Sequence, residues 1–511
     1  MNYIQTTQSE KIREQIIELT KTYSKMVHQG QNISPDFSEY DDTKKLKEAP
    51  NFLPGVSSIE YAARVFDEEE VIAAVNSTLD FWLTLGTEGA AMERELASFL
   101  GIRKTLLVNS GSSANLVALS SLTSPKVPGL RLMKGDEVIT CAAGFPTTVS
   151  PIIQNGLVPV FVDNDLSTGN LDVSQLEQAY DPNKTKAVMI AHTLGNPFDI
   201  GAVLSFCKKH DLWLIEDNCD ALGSKYQMPS MLASSLGKPK SSSRNLDHDK
   251  DYVQRWTGTW GDLSTQSFYP PHHLTMGEGG AVNISGSLKL HRIAESFRDW
   301  GRDCWCPSGK DNTCGLRFDQ TFGNLPCGFD HKYTYSHIGY NLKPLDIQAA
   351  IGRVQLKKLP MFIEKRKQNW IYLRKGLATL EEFFDFMLPT HAVSWNGEGF
   401  DWDKTGCKSE CSWFGFMLTL KENVPFTRTQ LAQYLTQNKI GNRMLFGGNL
   451  IRQPAMVQLK ADYPDSMRII GELRGADRLM NQCVFIGTFP GLSKPMLDYT
   501  IEKIHRFCKK F

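Results

Sequence analysis

No stretch of this sequence approaches the ~20 consecutive apolar residues that span a bilayer, and its opening, MNYIQTTQSEKIREQ, lacks the apolar core of a secretory leader. Neither sign of charge dominates: Lys+Arg and Asp+Glu both total 56 in 511 residues. No basic field therefore favours nucleic acid or an anionic membrane. No G-x-G-x-x-G turn follows a strand, so no built-in dinucleotide site is expected. No segment repeats at a fixed period. With 41% hydrophobic and 22% charged residues, the composition is that of a globular protein, expected in the cytoplasm, without nucleic-acid partner or membrane insertion. The eleven cysteines read in a reducing compartment as buried small hydrophobes, and any cluster of them as metal or redox chemistry.

What is present is alternation. TLLVN (105–109), EVITCAA (137–143), PVFVD (159–163), KAVMIAH (186–192) and LWLIED (212–217) are short apolar runs separated by helical or loop segments. That pattern predicts an α/β fold whose mostly parallel sheet is covered on both faces, with ligands beyond the carboxyl ends of the strands. A chain of this length exceeds one hydrophobic core. Residues 1–60, amphipathic from about 11 to 29, are expected to form a helical arm, 61–360 a large domain, and 361–511 a smaller α+β domain that begins along the helical run QLKKLPMFIEKRKQNWIYLRKGL. The Ser/Lys/Asp-rich stretch 227–256 reads as an inserted loop.

Three polar groups close predicted strands. SGSSAN opens a helix: Gly111 permits a tight turn, and Ser112 with the free amides suits a phosphate, although a plain helix cap explains the motif as well. LIEDNCDALG ends a strand on Glu216 and Asp217, and a carboxylate there suits a protonated pyridine nitrogen. SFYPPHHLTMGEGGAV (267–282) supplies Ser267 and His272 but contains no lysine.

NSGSSAN, EDNCDALG, GDLSTQSFYPPHHLTMGEGGAV and GYNLKPLDIQAAIG, in this order, resemble the DegT/DnrJ/EryC1/StrS sugar aminotransferase/dehydratase family over roughly residues 60 to 511. The resemblance implies the aspartate-aminotransferase-like (type I PLP) fold, with a seven-stranded, mostly parallel sheet and a smaller α+β domain. Aminotransferases of the family carry a Schiff-base lysine where His272 stands here, which places the sequence in the histidine branch, the 3-dehydrases of deoxysugar pathways. The cofactor implied is pyridoxamine 5'-phosphate (PMP/PLP). His272, whose side-chain type titrates near neutrality, is the expected base at the cofactor's methylene carbon. Asp217 is matched to the ring nitrogen, Phe145 to the ring face, and Gly111, Ser112 and Ser267 to the phosphate. Asn341 is matched to a phosphate contact across a homodimer interface. The substrate implied is a nucleotide-diphosphate 4-keto-6-deoxyhexose, CDP-4-keto-6-deoxy-D-glucose by the nearest branch, and Arg443 or Arg452 is a candidate for its diphosphate.

RDCWCPSGKDNTC places Cys304, Cys306 and Cys314 in a C-x-C-x7-C pattern in a loop rich in turn formers. Spacing alone leaves iron–sulfur, structural zinc and unligated thiols open. The iron–sulfur 3-dehydrases of the dideoxyhexose pathways carry this pattern, with a further cysteine in the ED-x-C setting. The resemblance therefore implies a [2Fe-2S] cluster on Cys219, Cys304, Cys306 and Cys314, fed by a separate flavin/iron–sulfur NAD(P)H-dependent reductase. The gap from Cys219 to Cys304 exceeds that branch's by about the length of the 227–256 insertion; Cys327 is the substitute. Cys407 and Cys411 read as structural. The alternatives are a cluster-independent 3-dehydratase of the colitose type, a thymidine-diphosphate substrate, and a non-catalytic relative.

Overall fold

In a computed structural model, which describes residues 7–28, 52–236, 246, 249–307 and 309–511, an eight-stranded sheet forms the centre of the molecule. Lys104–Val108 lies at one edge, followed across the sheet by Gly280–Ile284, Leu263–Ser267, Trp213–Asp217, Thr185–Ala191, Glu137–Cys141 and Val158–Val162. Gly280–Ile284 pairs antiparallel with both neighbours, and the other pairings among these strands are parallel. The predicted seven strands gain an eighth at the far edge, Arg468–Ile469. Two residues carry no readable period; Arg468 earns its place through the buried Glu137, whose carboxylate accepts from its Nε at 2.9 Å and its Nη2 at 2.6 Å.

Helices cover both faces of the sheet, so the central strands are buried even where, as in Leu263–Ser267 (LSTQS), most residues are polar. Glu137–Cys141, Trp213–Asp217, Leu263–Ser267 and Gly280–Ile284 are buried along their whole length. Register matters for the site: Asp217 pairs with Thr265, so two adjacent strands end together on Asp217 and Ser267. The helix Gly111–Leu122 packs on them and opens at the same end; its N-cap Ser110 accepts from the Ser113 amide, satisfying one of the otherwise free N-terminal donors.

The helix Asp346–Gly376 runs unbroken through residue 360, with Pro360 inside it, so no break between elements marks the expected boundary. Its first carboxylate, Asp346, accepts from the amides of Gly86 and Gly89 at 2.7 and 2.8 Å. Farther along, Trp370 stacks on Trp413 with centroids 4.5 Å apart. A four-stranded antiparallel sheet follows, Phe384–Phe386, Gly415–Leu420, Cys483–Gly487 and Asn442–Arg443 in spatial order. The described part of the N-terminal segment is the helix Thr7–Val27, anchored where Arg13 donates to Asn76 and Asp80.

The stretch expected as a loop has ordered ends. Lys225–Pro229 and Tyr252–Trp256 pair antiparallel, Lys408–Glu410 adds a third strand, and Ser230–Ser235 is a short helix. Composition hid the period-two pattern of KYQMP, whose Tyr226 and Met228 face the core while their neighbours do not. Residues 237–245 and 247–248 of that stretch lie outside the described residues.

Candidate active site

A cavity of about 560 Å³ opens beyond the carboxyl ends of the central strands, within the range of small-molecule sites. Its floor is Asp217, only 5% exposed. Asn115 Nδ2 and Thr148 Oγ1 donate to Asp217 Oδ2 at 2.8 and 2.7 Å, and the Cys219 amide donates to Oδ1 at 3.2 Å. These donors fix the direction of the carboxylate. Asn115 and Thr148 sit on two helices, Gly111–Leu122 and Pro146–Gln154; Asn115 closes the SGSSAN motif but was given no role of its own.

At one end Ser110, Gly111 and Ser112 present the helix N-terminus to the cavity beside Ser267. A Cβ on Gly111 would lie 2.5 Å from Ser267 Cβ and 3.1 Å from Cys219 Sγ, so only glycine lets the helix approach the strand so closely. Phe145, half exposed, lines the wall, its ring edge-on to Phe446 at 5.8 Å.

His272 lines the cavity too, whereas His273 turns into the core, where its Nε2 meets the Ser412 carbonyl at 2.7 Å and burial drives its pKa well below the usual range. Nε2 of His272 stands 3.4 Å from Asp220 Oδ1, and its Nδ1 has no partner. Burial pushes the Asp220 carboxyl up, opposed by His272. Below the loop, Arg366 is 1% exposed and donates to the carbonyls of His272 at 2.9 Å and Trp413 at 3.2 Å; burial brings its pKa to about 9. Neither Asp220 nor Arg366 stood out in the sequence, although Asp220 lies inside EDNCDALG.

Among the described residues, none lining the cavity is a lysine. A phosphate-suited helix end, a buried carboxylate, an aromatic wall and an imidazole whose Nδ1 has no partner fit a pyridoxamine phosphate. Arg443 lines the rim, its guanidinium 4.2 Å from the Tyr61 ring centroid, while Arg452 is paired with Asp477 and does not line the cavity. Asn341 is exposed, accepts from Lys343 Nζ at 3.0 Å, and does not line this chain's cavity.

The four cysteines expected as one ligand set are divided. Cys219 lines the cofactor cavity, where burial and then the Asp217 charge push its thiol well up. Cys304, Cys306 and Cys314 line a separate small cleft with His331. Burial raises the Cys306 thiol, but hydrogen bonds with Thr313 and Cys314 outweigh it and bring the pKa to about 7. Cys327 is exposed and does not line that cleft, and Cys407 and Cys411 are buried. Among the described residues no three His, Cys, Asp or Glu side chains already stand at metal-binding spacing. No described helix is long and apolar enough to cross a membrane.

Residues 66–505 match the family described as the DegT/DnrJ/EryC1/StrS aminotransferase family. The lipopolysaccharide biosynthesis protein RfbH of Salmonella typhimurium is 47% identical over 456 residues, 89% of this chain and 93% of that protein. The dTDP-4-dehydro-2,6-dideoxy-D-glucose 3-dehydratase of Saccharopolyspora spinosa is 45% identical over 469 residues, covering 92% and 90%. Among solved structures, the E. coli GDP-4-keto-6-deoxy-D-mannose-3-dehydratase with bound hydrated PLP superposes with a TM-score of 0.68 at 26% identity, covering 87% of this chain and 98% of that one.

Proposed function

Because the chain belongs to the DegT/DnrJ/EryC1/StrS aminotransferase family, we propose that it is a pyridoxamine-phosphate-dependent 3-dehydrase of a nucleotide-diphosphate 4-keto-6-deoxyhexose. The substrate we favour is CDP-4-keto-6-deoxy-D-glucose, on the way to a 3,6-dideoxyhexose. The carrying observation is His272 in a cavity with a buried Asp217 and no lining lysine. Relatives named as 3-dehydratases support the reaction class. The nucleotide rests on the sequence resemblance to the dideoxyhexose branch.

When bound, the cofactor supplies an amine for the sugar's C-4 carbonyl and a conjugated ring that takes up electrons as the 3-hydroxyl leaves. Ser110, Gly111, Ser112 and Ser267 would hold the phosphate, and Asp217 would face the ring nitrogen and keep its proton. His272 takes the proton from the methylene carbon and is placed to return one to the departing hydroxyl, which leaves as water. Asp220, 3.4 Å behind it, stabilises the imidazolium. Absence of a lysine leaves the amine free to meet the sugar. The 3-deoxy product needs two further electrons and two protons. We assign the electrons to a partner flavin/iron–sulfur reductase; Cys304, Cys306 and Cys314 would help to hold a [2Fe-2S] cluster, which would supply one-electron chemistry. A homodimer would bring Asn341 of one protomer to the phosphate of the other.

Cofactor-loaded protein, incubated with cytidine-, thymidine- and guanosine-diphosphate 4-keto-6-deoxy sugars and a reductant, should release a sugar lacking the C-3 oxygen, fastest with cytidine. His272→Lys should capture the aldehyde form of the cofactor covalently, seen as a new absorbance band, and stop dehydration. Dehydration at the wild-type rate would overturn the role given to His272. A second reading, a cluster-independent 3-dehydratase, is favoured by the absence of metal-spaced donors among the described residues; iron analysis after anaerobic purification separates the two.

A further inference from the structure

A second cavity, of about 290 Å³, lies one residue along the chain from the first: Trp413 lines it, and Phe414 lines the cofactor cavity. Its volume is close to the lower end of small-molecule sites. One wall is a polar row on the sheet formed by Lys225–Pro229, Tyr252–Trp256 and Lys408–Glu410. Gln227 stands opposite Lys408 on one side and Gln254 on the other, so the three side chains share a face, and all three line the cavity. The alternate residues Tyr226 and Met228 point to the other face and are fully buried in the core. Each glutamine amide offers both donors and an acceptor.

Much of the remaining lining is aromatic. Phe400 and Trp402, both partly exposed, come from one strand of the hairpin 392–402, their ring centroids 6.0 Å apart. Phe400 meets Trp370 at 5.8 Å, and Trp370 stacks on Trp413. Lys408 Nζ lies 5.9 Å from the Trp402 ring centroid, where the polar wall joins the aromatic one. Trp370 has its Nε1 buried without a partner, a donor that a ligand oxygen would satisfy. Charges here are answered within the protein: Lys367 pairs with Glu364 and Glu410, and Glu410 also with Lys225.

The geometry points to a second ligand site, outside the cofactor cavity, that takes a neutral pyranose. The C–H face of the sugar ring lies against Phe400 and Trp402, and its hydroxyls meet Gln227, Gln254 and Lys408. A pyranose is apolar on its faces and ringed by groups that both donate and accept, which is the complement of one aromatic and one amide wall. Gln227 and Gln254, directly opposite on neighbouring strands, start about 5 Å apart. That is nearer to the spacing of alternate ring hydroxyls than to that of adjacent groups on a nucleobase edge. The balanced charges disfavour a phosphate or a carboxylate. This site stands whether or not the first cavity performs the dehydration proposed for it.

The test is titration of the full chain, with and without pyridoxamine phosphate, with the methyl α-D-pyranosides of glucose, mannose and galactose, read by saturation-transfer NMR and tryptophan fluorescence. At least one glycoside should show saturable transfer to its ring C–H protons, unchanged by the cofactor. Trp402→Ala should weaken that binding about tenfold, the scale of one lost aromatic contact. Trp402→Phe and Arg443→Ala should bind as wild type does. Gln227→Ala should weaken binding severalfold with an unchanged circular dichroism spectrum, and it carries the test alone if Trp402→Ala does not fold. No saturable transfer from any of the three glycosides overturns the proposal. So does binding that is lost in Arg443→Ala and kept in Trp402→Ala, which moves the sugar to the first cavity. Cytidine or adenosine binding more tightly than every glycoside, and depending on Trp402, would give the pocket to a base instead.

Discussion

His272 Nε2 and Asp220 Oδ1 face each other at 3.4 Å inside the cavity, the imidazole of one loop against a carboxyl that burial drives up in pKa. The pair has opposite consequences for stability and for catalysis. A carboxyl whose folded pKa is raised favours the fold below its unfolded pKa and loses that contribution as pH rises through the folded value. Asp220→Asn should therefore leave the melting temperature at pH 7 unchanged or higher. The difference between variant and wild type should grow from pH 4 to pH 7. Dehydration should nevertheless fall about tenfold or more, a part of the 10²–10⁴ that a positioned acid–base group supplies. Melting scans across pH, with kcat on the same samples, check it; a variant that loses both stability and rate at pH 7 would refute the arrangement.

Gly111 carries a second prediction. Its missing Cβ would stand 2.5 Å from Ser267 Cβ, with backbone on both sides unable to recede. Gly111→Ala should cost about 1–3 kcal/mol through overpacking and lower pyridoxamine phosphate affinity more than Ser112→Ala does. Denaturant unfolding and equilibrium dialysis of the cofactor measure the two effects separately.

How the sequence announced these features differs from one to the next. The strand ending on Asp217 was legible because a buried parallel sheet favours apolar runs, and LWLI is one; the strand ending on Ser267, LSTQS, carries no such run. The two-residue strand Arg468–Ile469 was not legible either, since it is held by a side-chain pair with Glu137 rather than by a pattern. Asn115, Thr148 and Arg366 act through hydrogen bonds to groups far away in sequence, which local periodicity does not record. Cys219 was grouped with Cys304, Cys306 and Cys314 through the family resemblance, and in the fold Cys219 and Cys304 line different cavities.

The support of Asp217 is testable through Thr148, which is 3% exposed and donates to Oδ2 at 2.7 Å. Thr148→Val keeps the shape and removes the donor. The carboxylate left with fewer partners should destabilise the protein by about 1–3 kcal/mol. The cofactor, meeting a less firmly oriented Asp217, should dissociate faster. Asp217→Asn should go further and abolish dehydration while sparing the fold, because the amide still accepts from Asn115 but does not hold a ring proton. Circular dichroism and cofactor off-rates distinguish the outcomes; normal turnover in Asp217→Asn would remove the carboxylate from the chemistry.

Two arginines shared one role on the basis of sequence, and the fold separates them. Arg443 lines the cavity rim over Tyr61, its guanidinium 4.2 Å from the ring centroid, and makes no ion pair there. Arg452 is exposed and paired with Asp477. A substrate diphosphate entering over Phe145 meets the first and not the second. Arg443→Ala should raise KM for the nucleotide sugar about tenfold or more, the loss of one charge-assisted contact worth about 1.5–3 kcal/mol, with little change in kcat. Arg452→Ala should leave both constants near wild type, since an exposed pair contributes at most about 1 kcal/mol to stability. Because uniform binding is removed in the first case, the effect should appear in KM and vanish at saturation. A larger KM for Arg452→Ala than for Arg443→Ala would place the diphosphate on the other side of the cavity and require a different orientation of the sugar against His272.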